Sequence, residues 1–243
     1  ARAAGAAMAA AFTLREMVAA AAGMETLQAG LKAITGDSAK AAQELEFVRV
    51  VASRVGGDVL EVGRAYLGLA ASTKGTAVEG QATRAVFEAV SNAMGKAGRS
   101  SAETSNALMA LSQMASKGTV QVEELKGQLG EALPGALQAA AAGMGITVEE
   151  MNKLVESGSI TANDIFPALT KGLNELYGQA GGAQTLAQEF ANIKNAFSDM
   201  SARLGDSGGL NAFKVAAELA QMAMLLFGEG LVTAGQKIGV LMG

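Results

Sequence analysis

Two pairs of neighbouring carboxylates, Glu123–Glu124 and Glu149–Glu150, are the residues of this 243-residue chain that come nearest to a catalytic or metal-binding pattern. Paired carboxylates hold a divalent cation, or share a proton in acid–base catalysis, when further groups complete the site. No such groups stand beside them. The chain has no histidine and no cysteine, which removes imidazole chemistry, thiolate nucleophiles and disulfides together. Both pairs stand where helices are expected to open, and the helix dipole favours negative charge there. Their structural reading is the stronger one, so no catalytic, metal-binding or cofactor-binding residue is assigned.

The stretch between the pairs, ELKGQLGEALPGAL (124–137), is a second candidate. Its glycines, Gly127, Gly130 and Gly135, suggest a phosphate loop. Such a loop needs a preceding strand and a lysine followed by serine or threonine, and neither is present. Leu125, Leu129, Leu133 and Leu137 instead recur every four residues, the approximate spacing of one helix face. On an unbroken helix that spacing drifts by about 40° per step, so a break is expected. Pro134 disfavours a helical Leu133 and suits the first turn of a following helix. The expectation is one short helix with Leu125 and Leu129 ending near Gly130, a corner at Leu133, and a second helix whose stripe begins at Leu137.

A third candidate is 147–173, two helical stretches around a glycine turn, the outline of a DNA-reading helix-turn-helix. Its second helix, 162–172, offers only Lys171 as a cation, at its far end. The net charge is −4, which supplies no field for phosphate. Sequence-specific nucleic acid is therefore not an expected partner, and a DNA-binding regulator stands as the alternative reading.

These candidates rest on a helical background. Alanine dominates, aromatic residues are 4% and tryptophan is absent, which favours helices over strands. The expected class is all-α: many short-to-medium helices joined by tight glycine turns, with no sheet. Helical stripes run through Leu45, Val48, Ala52 and Val55; Val59, Val62, Tyr66 and Leu69; Val86, Val90, Ala93 and Ala97; and Ala107, Leu108, Leu111 and Ala115. Each run ends at a glycine, namely Gly36, Gly56, Gly75, Gly98 or Gly118, as left-handed helix termination requires. KGTAVEG (74–80), KGTVQVEE (117–124), GITVEE (145–150) and GSITAND (158–164) share a turn pattern in which an acidic residue opens the next helix. Thr147 with Glu150, and Thr161 with Asp164, fit capping boxes. An apolar stretch at 219–228 lies between Glu218 and Glu229 and reads as a buried helix, with a membrane segment as the alternative.

ELKGQLGEALPGALQAAAAGMGITVEEMNKLVESGSITANDIFPAL, with SSAETSNALMALSQMASKGTVQVEEL upstream, resembles the tape measure domain of tailed-phage tape measure proteins. The elements that carry the resemblance are Leu125–Leu129, the Glu131–Gly135 joint, the alanine-rich 136–143, Thr147–Val155, Gly158, and the Phe166–Pro167 pair. It is strong over about 98–176 and extends over about 40–205. The first residue is alanine, and the chain is expected to be a fragment of a longer protein. Residues 1–36 are read as an alanine-rich helical segment, 37–205 as the tape-measure-type domain, and 206–243 as an apolar helical segment.

The resemblance implies a virion structural protein, not an enzyme. It would be made in the host cytoplasm and lodged in the tail tube lumen or tail tip. It would set tail length during assembly and leave at DNA delivery. Implied partners are further copies of itself (a trimer preferred, a hexamer the alternative), tail tube protein, tail tip or baseplate hub proteins, and a tail assembly chaperone. Host membrane contact during ejection is a further implication. Frequent glycines break this segment into short helices, so it is expected to be a compact anchoring or self-association module of such a protein.

Overall fold

The computed structural model describes residues 2–178 and 195–196, with side chains from residue 19 onward. The chain divides into two compact units, residues 22–196 and residues 1–21 with 197–243. The second is described only through the opening turns of the helix α1 (Arg2–Thr35). No helix among the described residues is long and apolar enough to cross a membrane. The apolar stretch 219–228 lies outside the described residues, with the rest of 206–243.

The described residues of 22–196 are all-α. After α1 come α2 (Ser38–Val55), α3 (Val59–Thr73), α4 (Gln81–Lys96) and α5 (Ser101–Lys117). A π-helix (Glu123–Leu129) follows and runs on through one turn of α-helix, α6 (Gly130–Ala132). The described set ends with α7 (Ala136–Met144), α8 (Val148–Glu156) and α9 (Ala162–Tyr177). The described residues contain no strand. Extended pairing is confined to one antiparallel bridge between Thr119 and Thr161, where the Val120 N–H donates to the Ile160 carbonyl at 2.8 Å.

Local chemistry explains the boundaries. Gly36, Gly56, Gly75, Gly98 and Gly118 all have φ between 69° and 77°, the left-handed region that ends helices without Cβ strain. Asp37 opens α2 by accepting from the Lys40 N–H at 2.8 Å, and Asp58 opens α3 by accepting from Leu60 and Glu61. Ser100 with Glu103 and Thr147 with Glu150 form full capping boxes. Asp164 accepts from both the N–H and the hydroxyl of Thr161, at 2.9 and 2.7 Å. The 74–80 turn departs from the expected pattern. Glu79 folds back to accept from the Gly75 N–H at 2.7 Å, and α4 starts after Gly80 with no side-chain cap.

These caps make the unit acid-sensitive. The Ser100 and Thr147 N–H groups hold Glu103 and Glu150 below the ordinary 4.5, while Lys40 N–H and the Thr161 hydroxyl hold Asp37 and Asp164 below 3.8. A carboxylate whose pKa is depressed by folding stabilises the fold above its unfolded value and loses that contribution as pH falls through the folded one. The melting temperature is therefore expected to be flat above about pH 5 and to fall progressively below pH 4.5. Glu150→Gln should flatten part of that slope, which thermal melts at several pH values would reveal; an unchanged slope would refute the assignment.

The stripes read from sequence form the core. Leu45, Val48, Ala52, Val59, Val62, Tyr66, Leu69, Val86, Val90, Ala93, Ala107, Leu108, Leu111 and Ala115 are all buried. Two stripe ends differ: Val55 is half-buried, and Ala97 is exposed because it lies past the last turn of α4 as its C-cap. Phe47, Tyr66 and Phe87 form an aromatic cluster of α2, α3 and α4, with centroids 4.7–5.6 Å apart. The Arg84 guanidinium lies 4.2 Å over the Phe47 ring. The Tyr66 hydroxyl donates to Glu44, and burial, reinforced by that carboxylate, pushes the phenol pKa upward. The other half of the core is built on α9, which packs against α7 and α4.

Candidate functional site: the joint and the α9 seam

Leu125, Leu129 and Leu133 are all fully buried, though they are spaced by four residues. The backbone solves the drift by widening. Glu123–Leu129 is a π-helix, whose i→i+5 bonds enlarge the turn and offset the rotation a four-residue step accumulates on an α-helix. The expected end near Gly130 is thus replaced by a continuation to Ala132. Leu133 is the corner, with φ −128° and ψ 88°. Leu133, Pro134, Gly135 and Ala136 then make a turn closed by the Ala136 N–H to the Leu133 carbonyl at 3.1 Å. Gly135, at φ 96° and ψ −3°, has the conformation of the third residue of a type II turn, which glycine after proline suits. Pro134 therefore belongs to the turn, outside the first helical turn of α7. Leu137 is half-buried, and the buried face of α7 is instead Ala136, Ala139, Ala140 and Ala141.

The start of the π-helix is fixed by Glu124, the member of the first acidic pair that points inward. Its side chain is 1% exposed, accepts from the Gln121 N–H at 3.0 Å and pairs with Lys117. The carboxylate in turn raises the Lys117 ammonium above its ordinary pKa. Glu123 is exposed. In the second pair, Glu150 is occupied by the Thr147 cap and Glu149 by Lys153 at 2.7 Å. No group of three or more metal-ligating side chains forms among the described residues.

Close packing comes from other glycines. A Cβ on Gly143 of α7 would fall 1.9 Å from the Ala168 carbonyl oxygen of α9. A Cβ on Gly172 of α9 would fall 1.8 Å from the Ala139 carbonyl oxygen of α7. The two helices thus cross antiparallel, with Ala139 and Gly143 facing Gly172 and Ala168. The signal in the sequence is two small-x3-small pairs, Ala139–Gly143 and Ala168–Gly172, the spacing that lets helix backbones approach. By contrast, Gly127 has only the Glu123 Cγ near its missing Cβ, at 3.9 Å, and Gly130 only the Leu125 carbonyl oxygen, at 3.2 Å.

The remaining sequence candidates fall around this seam. Thr147 and Glu150 are exposed and cap α8, and Gly158, at φ 66°, ends it. Phe166 is fully buried, while its neighbour Pro167 is exposed inside α9. The joint and the C-terminal end of α9 meet where the Tyr177 hydroxyl donates to the Pro134 carbonyl at 3.2 Å. The second helix of the helix-turn-helix outline is this same α9. Ala162, Ile165, Phe166, Ala168, Leu169, Gly172 and Leu173 are buried, so its apolar face serves the core. Sequence reading also missed Asn195, a buried side chain that accepts from the Val59 N–H at 3.1 Å and donates to the Gly57 carbonyl at 2.9 Å.

Among the described residues, short capped helices held by the alanine–glycine seam of α7 and α9 define an all-α packing module. The chain belongs to the tape measure protein family, which matches residues 15–206. It is 27% identical over 229 residues to the probable tape measure protein of Salmonella phage Felix O1, an alignment that covers 90% of this chain and 30% of that protein. The chain thus spans about a third of that relative's length. No solved structure matches it.

Proposed function

We propose that residues 22–196 are a folded anchoring and self-association module of a phage tail tape measure protein. The parent protein occupies the tail tube lumen, fixes tail length during assembly and is released when DNA is delivered. The observation that carries the reading is that α2 to α9 fold back on one another, the longest of them being the 18 residues of α2. As one straight helix the unit would span about 260 Å at a rise of about 1.5 Å per residue. A compact domain of this size has a radius of gyration of about 16 Å. Such a block contributes little measured length and is suited to holding one end of a ruler.

In this reading the module works in a few parallel copies, three by family analogy and six as the alternative. It meets tail tube protein, tail tip or hub proteins and, before assembly, a chaperone; host membrane contact belongs to ejection. Tape measure proteins act structurally, and no catalytic step is assigned to this unit. The DNA-binding alternative is the weaker one, since α9 carries Asp164 in its first turn and no cation before Lys171.

The test is an in-frame deletion of residues 22–196 in the phage that encodes the chain, with tails measured by electron microscopy. The expected outcome is failed or misassembled tails. Well-formed tails shortened by about 260 Å would show that the segment is part of the ruler and overturn the proposal.

A further inference from the structure

We infer that the π-helix Glu123–Leu129 is a hinge with two registers: it slips by one residue into an α-helix, and the slip carries Leu133 out of the core and opens the corner at Pro134. This hinge does not depend on what the module anchors to or associates with. The segment holds one residue more than an α-helix needs to make the same contacts. With Gly127 removed, Leu125, Leu129 and Leu133 would be spaced by three and four residues, the stripe of an ordinary α-helix. With every residue kept, an α-helix would turn Leu129 about 40° and Leu133 about 80° away from the direction of Leu125. The wide turn is what keeps all three buried. π-turns are rare and occur frequently at functional sites.

The surroundings pin the start of the segment and leave its middle free. At the start, Glu124 is held by the Gln121 N–H at 3.0 Å and by Lys117, so Leu125 beside it stays in place. Further along, Gly127 and Gly130 stand in the helix with no other element against them. A Cβ on Gly127 would find only the Glu123 Cγ, at 3.9 Å, and one on Gly130 only the Leu125 carbonyl oxygen, at 3.2 Å. Gly143 and Gly172 are required by a facing backbone; these two are not. Glycine inside a helix is destabilising relative to alanine, so what Gly127 and Gly130 supply is freedom of the backbone to change register. At the far end, the corner can take up the shifted residue. Leu133 is already extended there, at φ −128° and ψ 88°, and Gly135 already has φ 96°. The bond from the Tyr177 hydroxyl that ties this corner to α9 is exposed and is released without unpacking the α7–α9 seam.

The test is thiol labelling of the full 243-residue chain, which has no cysteine of its own. A single thiol is introduced as Leu133→Cys, Leu125→Cys or Leu108→Cys, at three positions that are all fully buried. Each variant is reacted with a maleimide under native conditions, and its rate is corrected for global unfolding by its measured stability. Leu133→Cys is expected to react at least about tenfold faster than the other two, because local opening exposes the corner while Leu125 stays pinned. Deleting Gly127 in the Leu133→Cys chain should abolish the excess rate, since the leucines then fit an α-helix without a slip. Gly130→Ala should increase it, because the added methyl crowds the Leu125 carbonyl in the π register. Should the deletion fail to fold, the Gly130→Ala chain decides alone. Equal rates at all three positions overturn the hinge. A fast Leu133→Cys whose rate answers to neither change overturns it as well, since the corner would then be fraying without a change of register.

Discussion

Gly172→Ala is expected to destabilise the unit by about 3 kcal/mol or more, the upper end for overpacking a core. The added methyl would lie 1.8 Å from the Ala139 carbonyl oxygen and 2.5 Å from its carbon. A clash with a flexible side chain relaxes by a change of rotamer, but this one is with backbone, so α7 and α9 must move apart. Gly143→Ala meets the Ala168 backbone in the same way and should cost a similar amount. The double substitution should fall short of the sum, since one separation of the helices relieves both contacts. Gly127→Ala is the control: its nearest neighbour is 3.9 Å away, and exchanging glycine for alanine in a helix should be neutral or slightly stabilising. Chemical denaturation of the three variants decides the matter. Equal stability for Gly172→Ala and Gly127→Ala would refute the seam.

The Phe166–Pro167 pair is expected to split into opposite effects. Phe166 is fully buried in α9, and truncation to alanine should cost about 3–5 kcal/mol through lost burial and a residual cavity. Pro167 is exposed in the same helix and has no N–H to donate to the Asn163 carbonyl. Pro167→Ala restores that donor and should stabilise the isolated unit by about 1–2 kcal/mol, less than the full helix-interior penalty because the unfolded chain also gains freedom. If both substitutions destabilise the unit alike, the proline has a packing role that the geometry of α9 does not show.

Much of this was legible because it is local. The boundaries of α2 to α5 are set by residues that act within four positions of themselves: an Asp or Ser accepts from a nearby N–H at the start of α2, α3 and α5, and a glycine free to take positive φ follows the end of each helix. The Thr147–Glu150 box and the stripe through Val59, Val62, Tyr66 and Leu69 belong to the same kind. The joint was legible as a corner but not in its construction. Leucines at every fourth position predict either a broken α-helix or a wider one, and periodicity alone does not choose between them. The inward turn of Glu124 depends on Lys117 from the preceding helix, and the docking of Asn195 depends on Gly57 and Val59, more than 130 residues away in sequence. The alanine–glycine seam left a spacing signal, but small residues at intervals of four are frequent in an alanine-rich chain. Only the fold shows which of them meet backbone.

Hydrogen–deuterium exchange along the 243-residue chain tests the claim on which the rest depends, that α9 is the buried centre of a folded block. Amides of 166–173 are packed between α4 and α7, with Phe166, Leu169 and Leu173 at most 1% exposed, and should be among the slowest to exchange in residues 22–178. Exposed positions of α8 such as Glu149 and Lys153 should exchange much faster. Slow exchange across α9 would establish the block. Exchange in α9 as fast as in α8 would mean that the helix is free of the core, and the folded-module reading would fall with it.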